Sequence, residues 1–370
     1  MLCGHNLWHV IVAVTVLVST SEATAAANND FDYRCSRQGV LKCVSFDTDA
    51  DFSQGRGGTQ GAWGSRFGLI PRYGTSDYSR ATRDTTQAAD GASSLRFTIA
   101  SNSSADVGGA WFTNFTDDLS YQVGEGQEIF VQWRQRFSPE LLSTRYLNKD
   151  GSGALAGGWK LADISGGDLA GCSPTSASSM QCPTTCWDGE VVVQDTDQHN
   201  LAELYTNCAG SFPYIPLLGY TSNYTVQNVV NCTFPNYPIP PCIAFQPNQW
   251  MTFQLHIKVG HWNQWDSTVQ LWIAREGVPS TLIIDCSPSA QLRCSNGRDR
   301  AADTGWYLAN SDATYKYGKV WLLPYHTNKD PTQVTATAYT WYDDLIISTS
   351  KIPDPAATVR PNSPSNFSKQ

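Results

Sequence analysis

Residues 129–137 read IFVQWRQRF, and their alternation decides the class of fold. Successive side chains of a strand point to opposite faces, so Ile129, Val131, Trp133 and Phe137 share one face while Gln132, Arg134 and Arg136 share the other. Residues 250–259, WMTFQLHIKV, divide the same way: Met251, Phe253, Leu255, Ile257 and Val259 against Thr252, Gln254, His256 and Lys258. A third run, residues 190–196, sets Val191 and Val193 against Glu190, Val192, Gln194 and Thr196. Outward from these, short stretches rich in Val, Ile, Phe, Trp and Thr are separated by Gly, Pro, Asn and Asp clusters. No segment keeps a helical period beyond about three turns. The helix candidates are residues 139–146 and 198–205. The expectation is an all-β sandwich with long loops.

The N-terminus reads as an export signal. Leu7 to Val18 is apolar apart from His9 and Thr15, too short to span a bilayer, and Ala23, Ala25, Ala26 and Ala27 follow as a cleavage site. No Lys or Arg precedes the apolar run, and an uncleaved anchor is the alternative. Residues 1–26 are thus expected to be removed, residues 27–352 to form one secreted domain, and residues 353–370 to be a polar, Pro-rich tail.

Loss of Cys3 leaves ten cysteines, an even number that suits disulfides in an oxidising compartment. Cys35 with Cys43, Cys286 with Cys294 and Cys232 with Cys242 are candidates for locally closed loops. Cys172, Cys182, Cys186 and Cys208 supply two more bridges of open connectivity, with zinc at Cys182 and Cys186 as the alternative. Six of the ten lie in residues 165–247, a Cys- and Pro-rich insertion. Sequons begin at Asn102, Asn114, Asn223, Asn231 and Asn366. The mature balance of 25 basic against 32 acidic residues argues against nucleic-acid binding, and no second apolar run is long enough for a membrane. A monomer is expected.

The polar faces of the strands carry more than a solvated sheet needs. Lys160 in GGWKLADIS, Gln270 and Trp272 in STVQLWIARE, and Trp321, Tyr325 and His326 in KVWLLPYHTNK join the Gln, Arg and His already named. A polar face in water is the bland account of such alternation. Aromatics beside guanidinium and amide groups suit a sugar better, because planar donors grip hydroxyls and carboxylates. If the strands share one sheet, that sheet has a glycan-binding groove.

CVSFDTDADF, GASSLRFTIAS, EIFVQWRQRF, GGWK and TWYDDLIISTSKI together resemble the concanavalin A-like jelly roll, a sandwich of two antiparallel sheets. More narrowly, the chain is similar to secreted polysaccharide lyases of that fold, of the alginate, glucuronan and heparin lyase type, over most of residues 43–352. The resemblance implies an anionic, uronate-containing polysaccharide as substrate and no required cofactor. It implies that Gln132, Arg134 and Arg136 form the basic strand that neutralises the uronate. Gln194 in VVVQD, or Gln254 in Gln254-Leu255-His256, holds the amide role. Tyr325 stands near the second tyrosine of a YFKAGxYxQ segment, although Leu322, Leu323 and Thr327 depart from that pattern. It also implies a structural Ca2+ between first and last strands, for which Asp47, Asp49, Asp51, Asp343 and Asp344 are candidates; solvated loop acids are the alternative.

β-Elimination removes the C5 proton of a uronate, which requires the neighbouring carboxylate to be neutralised. Arg and Gln serve that need. His256 as base and Tyr325 as proton donor is the expected pair, with Tyr325 in both roles as the variant and His326 and His199 as further candidates. Lys160, Lys258, Trp272, Trp321 and His326 are expected to bind substrate. A non-catalytic lectin would use the same groove without the pair. A retaining hydrolase needs two flanking carboxylates, and no E-x-D-x-x-E strand is present.

Overall fold

The computed structural model describes residues 30–52, 67–70, 81–103, 110–166, 190–195, 200–207, 243–289, 305–308, 316–326 and 328–356. The expected export signal, most of the Cys-rich insertion, eight of the eleven cysteines, His199, Asn223, Asn231 and Asn366 lie outside them.

The described strands are β1 (Val40–Val44), β2 (Phe67–Ile70), β3 (Ala81–Asp84), β4 (Ser94–Ile99), β5 (Ala110–Asn114), β6 (Glu128–Phe137), β7 (Lys160–Gly166), β8 (Glu190–Asp195), β9 (Ala202–Asn207), β10 (Trp250–Lys258), β11 (Thr268–Arg275), β12 (Thr281–Cys286), β13 (Tyr317–Leu322) and β14 (Ala338–Ser348). They form two antiparallel sheets. The larger has eight strands in the order β12-β11-β10-β6-β14-β4-β3, with β1 beside the second half of β14; the smaller has six, in the order β2-β5-β13-β7-β8-β9. The expected all-β jelly-roll sandwich is what the chain forms.

The inner faces are the apolar sets read from the alternation. Ile129, Val131, Trp133 and Phe137 of β6 and Met251, Phe253, Leu255 and Ile257 of β10 are buried in one core with Ala162 and Ile164 of β7, Val191 and Val193 of β8 and Leu204 of β9. Trp133 stacks on Phe253 with centroids 5.4 Å apart. The short helix Pro139–Ser143 was legible: Ser138 caps it by accepting from Leu141 N, Pro139 suits its first turn, and Leu141 is buried. Of the helix expected at residues 198–205, the described part, residues 200–205, is not helical; Ala202–Asn207 is edge strand β9, paired with β8 from Glu190↔Asn207 to Asp195↔Ala202.

The chain ends close the outer face of the larger sheet. A helical segment at residues 30–35 lays Phe31 against Phe130, Ile346 and Ile352 and is tied to β1 by the disulfide Cys35–Cys43. Cys286 is also disulfide-bonded. Arg34, fully buried, donates to Asp344 Oδ2 at 2.7 Å and Gln132 Oε1 at 2.8 Å. From the other end, Ile352 N donates to Gln254 Oε1 at 2.8 Å, and Ile352 O accepts from Gln254 Nε2 at 3.2 Å. Beneath this lid β14 bulges between Asp343 and Ile346, with Asp344 at φ 49°.

The acids weighed for calcium have protein partners. Asp47 Oδ1 accepts from Ala92 N and Ser93 N, Asp49 pairs with Arg83 at 2.8 Å, Asp51 accepts from Thr48, and Asp343 accepts from Ala89 N at 2.7 Å. Among the described residues no three His, Cys, Asp or Glu side chains converge as a metal site. Of the two described sequon asparagines, Asn102 is exposed, whereas Asn114 is 1% exposed within β5 and offers no surface for a glycan.

Burial and the neighbouring Asp344 push the Asp90 carboxyl up to about 6. A carboxyl raised in the folded state favours folding below its unfolded value near 4, and that stability is lost as pH rises through about 6. Asp90→Asn should therefore match the wild type at pH 4 and exceed it at pH 8 by about 1–2 kcal/mol, the full shift being discounted for solvent at the rim. Urea unfolding at both pH values checks this; equal gains at the two would refute it.

Candidate functional site

The outer face of the six-stranded sheet gathers the polar side chains that the inner valines leave behind. Registers place Phe112, Trp321, Asp163, Val192 and Tyr205 in one row across β5, β13, β7, β8 and β9. Lys160, Gln194 and Glu203 form the next row, and Asn114, Lys319 and Ser165 the row on the other side. Tyr325 follows β13 and is held by its carbonyl, which accepts from Lys160 N at 2.8 Å.

Lys160 is the hub. Its Nζ lies 5.7 Å from the ring centroid of Tyr205 and 5.5 Å from that of Tyr325, and 3.8 Å from Asp163 Oδ2. Both rings are half-buried, while Asp163 and Glu203 are 2% and 1% exposed. Gln194 Nε2 donates to Glu203 Oε1. Toward the other end, Trp321 Nε1 donates to Ser165 Oγ at 3.0 Å, and Lys319 Nζ lies 4.2 Å over the Trp321 ring. A cation, an amide, two phenols and two carboxylates thus share one sheet face, a set able to bind a carboxylated or hydroxyl-rich ligand and to move protons.

Lys160, Gln194, Trp321 and Tyr325 are brought together as expected. The other expected site residues are not with them. Gln132, Arg134, Arg136, Gln254, His256, Lys258 and Trp272 lie on β6, β10 and β11, on the outer face of the larger sheet, with the whole core between. The single groove expected of these strands is therefore two faces on opposite sides.

Each displaced residue has local work. Arg134, 3% exposed, donates to Ala89 O at 3.1 Å and faces Glu276 at 3.6 Å and Asp344 at 3.9 Å. Arg136 bonds the Asn248 carbonyl and stands 5.8 Å from the Trp341 ring. Gln132 and Gln254 are pinned by the chain ends. His256 bonds Gln270 Oε1 at 2.9 Å and Glu128 Oε2 at 2.8 Å and stacks on Phe130 at 4.1 Å. Trp272 lies under the Lys351 ammonium at 4.4 Å, and Lys258 is exposed at the end of β10.

His326, although next to Tyr325, turns the other way. It is 1% exposed, its ring centroid lies 4.2 Å from that of Tyr146 and 5.5 Å from that of Trp159, and burial beside Lys329 drives its pKa down to about 3. It is a neutral, buried residue on the core side of the strand end. Sequence reasoning passed over Asp163, Glu203, Tyr205 and Lys319. Their signal was present: Ala162 and Ile164 alternate with Asp163, and Ala202 and Leu204 with Glu203 and Tyr205.

No protein-family model matches the sequence, and no curated protein matches it. Among solved structures the chain is similar to a marine PL-14 alginate lyase from Aplysia kurodai, at 12% identity over 73% of this chain and 87% of that one, with a TM-score of 0.43. An endo-β-1,4-glucuronan lyase from the fungus Trichoderma reesei matches at 11% identity over 77% and 94% of the two chains, with a TM-score of 0.39. The catalytic domain of a glycoside hydrolase family 131 protein from Coprinopsis cinerea matches at 10% identity over 87% and 100%, also with a TM-score of 0.39. At such identities none of them lends a residue role to this chain.

Proposed function

We propose that the outer face of the six-stranded sheet binds a glycan in a secreted, carbohydrate-active protein, and that it cleaves a uronate-containing polysaccharide by β-elimination. The observation that carries this reading is the Lys160 ammonium set between the Tyr205 and Tyr325 rings, one strand from the Gln194 amide. Lys160 and Gln194 neutralise the uronate carboxylate, which makes the C5 proton removable. A cation beside a phenol favours the phenolate, the form that acts as base.

With His256 on the far side of the molecule, Tyr325 takes both roles. Its phenolate accepts the C5 proton, the C5–H electron pair becomes the C4=C5 double bond, and the C4–O bond breaks. The new phenol then returns the proton to the leaving oxygen. Atoms and charge balance without a cofactor.

A second reading has its own observation: Asp163 and Glu203, from β7 and β9, place two buried carboxylates on this same face without any single-strand motif. Hydrolysis through such a pair gives reducing ends and no double bond. Incubation of the purified chain with alginate, glucuronan, pectate, heparin and chondroitin separates the readings. Ultraviolet absorbance growing with cleavage supports elimination; reducing ends without absorbance support hydrolysis; retention on a polysaccharide gel with no product leaves a lectin.

A further inference from the structure

Tyr325 does not stand in a regular strand. Leu322 of β13 faces Ala162 of β7, and further along His326 faces Trp159 in an antiparallel bridge. Between these pairs one chain advances four residues, 322 to 326, and the other three, 162 to 159. The unequal steps mark a bulge on the β13 side, and bulges re-aim the side chains beside them. Pro324 lies in it, buried and without an N–H to give to the ladder.

Past the bulge the Trp159–His326 pair restores the register. Both side chains are 1% exposed on the core side, their ring centroids 5.5 Å apart, and the Tyr146 ring lies 4.2 Å from His326. One residue on, Lys160 N donates to Tyr325 O at 2.8 Å, and these two side chains meet on the outer face, the ammonium 5.5 Å from the phenol ring. A slip of one residue would turn Tyr325 inward and His326 outward, because the side-chain period is two. Burial of the His326 ring opposes that slip.

We infer that His326, packed against Tyr146 and Trp159, is a positioning residue that directs the Tyr325 phenol to Lys160. This rests on the proposal that Tyr325 carries the chemistry. The flat ring does the positioning. Its Nε2 meets no hydrogen-bond partner among the described residues, and burial keeps the imidazole neutral. Phenylalanine supplies such a ring; leucine and alanine do not.

The experiment compares His326→Phe, His326→Leu and His326→Ala with the wild type, at a temperature where urea curves show which are folded. Initial rates at the absorbance of the new double bond give kcat and KM. A fluorotyrosine placed at position 325 reports the surroundings of that ring by fluorine NMR, whether or not any polymer is cleaved. Loss of the ring should lower kcat about 10²-fold with KM little changed, the cost of misplacing a reacting group by about 1 Å, while His326→Phe stays within about threefold of the wild type. The fluorine resonance should be common to the wild type and His326→Phe, and shifted or broadened in His326→Leu and His326→Ala. If one of these two does not fold, the other decides. A merely structural residue would lower stability and leave kcat and the resonance alone, which overturns the inference. So does a His326→Phe variant as slow as the ringless ones, or failure of both ringless variants to fold. If the wild type cleaves none of the polymers, elimination is refuted, and the resonance alone decides the positioning, so the two fail separately.

Discussion

Replacing Tyr325 by phenylalanine is expected to lower kcat/KM on the cleaved polyuronate by roughly 10²- to 10⁴-fold, the span of a lost general acid–base group. The loss should fall on kcat. The phenylalanine ring keeps the face beside Lys160, and the substrate carboxylate still meets the ammonium, so KM should move little. His256→Gln is the companion variant. His256 lies across the core from Tyr325 and is bonded to Glu128 and Gln270, so its loss should leave kcat within about twofold while lowering stability by about 1 kcal/mol for the broken hydrogen bonds. Initial rates followed at the absorbance of the new double bond decide the matter. Activity lost in His256→Gln and kept in Tyr325→Phe would return the chemistry to the larger sheet.

The second large effect concerns stability. Arg34→Met removes the guanidinium that donates to both Asp344 and Gln132 in a buried site, leaving Asp344 the more distant Arg134 at 3.9 Å. Breaking such a pair from one side leaves a buried charge without its hydrogen-bonded cation, at a cost of about 3 kcal/mol, the low end for such a loss because Arg134 stays nearby. The double variant Arg34→Met with Asp344→Asn should recover part of that, because removing both charges also removes their desolvation and asparagine keeps the positive φ at position 344 without strain. Urea unfolding of the four proteins in the cycle gives the coupling directly. At 25 °C the folded single variant should keep its cleavage rate, since the clamp and the Lys160 face lie on opposite sheets. A loss below about 1 kcal/mol would mean that residues 30–35 are not a structural part of the sandwich.

What the sequence disclosed and what it withheld divide along one physical line. Alternation in β6 and β10 told correctly which side chains face the core, because period-two patterning is a local property. It did not tell which sheet a strand joins. Both sheets of a sandwich have an outer face, and the polar sets of β6 and β7 look alike until hydrogen-bond partners place one beside β14 and the other beside β13. That is how Arg134 and His256 came to be grouped with Lys160. The clamp was hidden for a similar reason: nothing near Arg34 or Ile352 announces that they meet Gln132 and Gln254, each 98 residues away. At β9 the helix-forming residues Leu201, Ala202, Glu203 and Leu204 outvoted the alternation locally, and pairing to the valines of β8 decided otherwise.

Strands β13 and β14 stitch the sandwich together, and both come late in the chain. Without β14 the larger sheet falls into two pieces, β4 with β3 on one side and β6 with β10, β11 and β12 on the other, leaving β1 unattached. Without β13 the smaller sheet splits between β5 and β7. A nascent chain therefore carries two half-sheets with open edges until residues beyond 317 have emerged, and it cannot fold progressively from its N-terminus. The same edges expose it to mispairing if release is delayed.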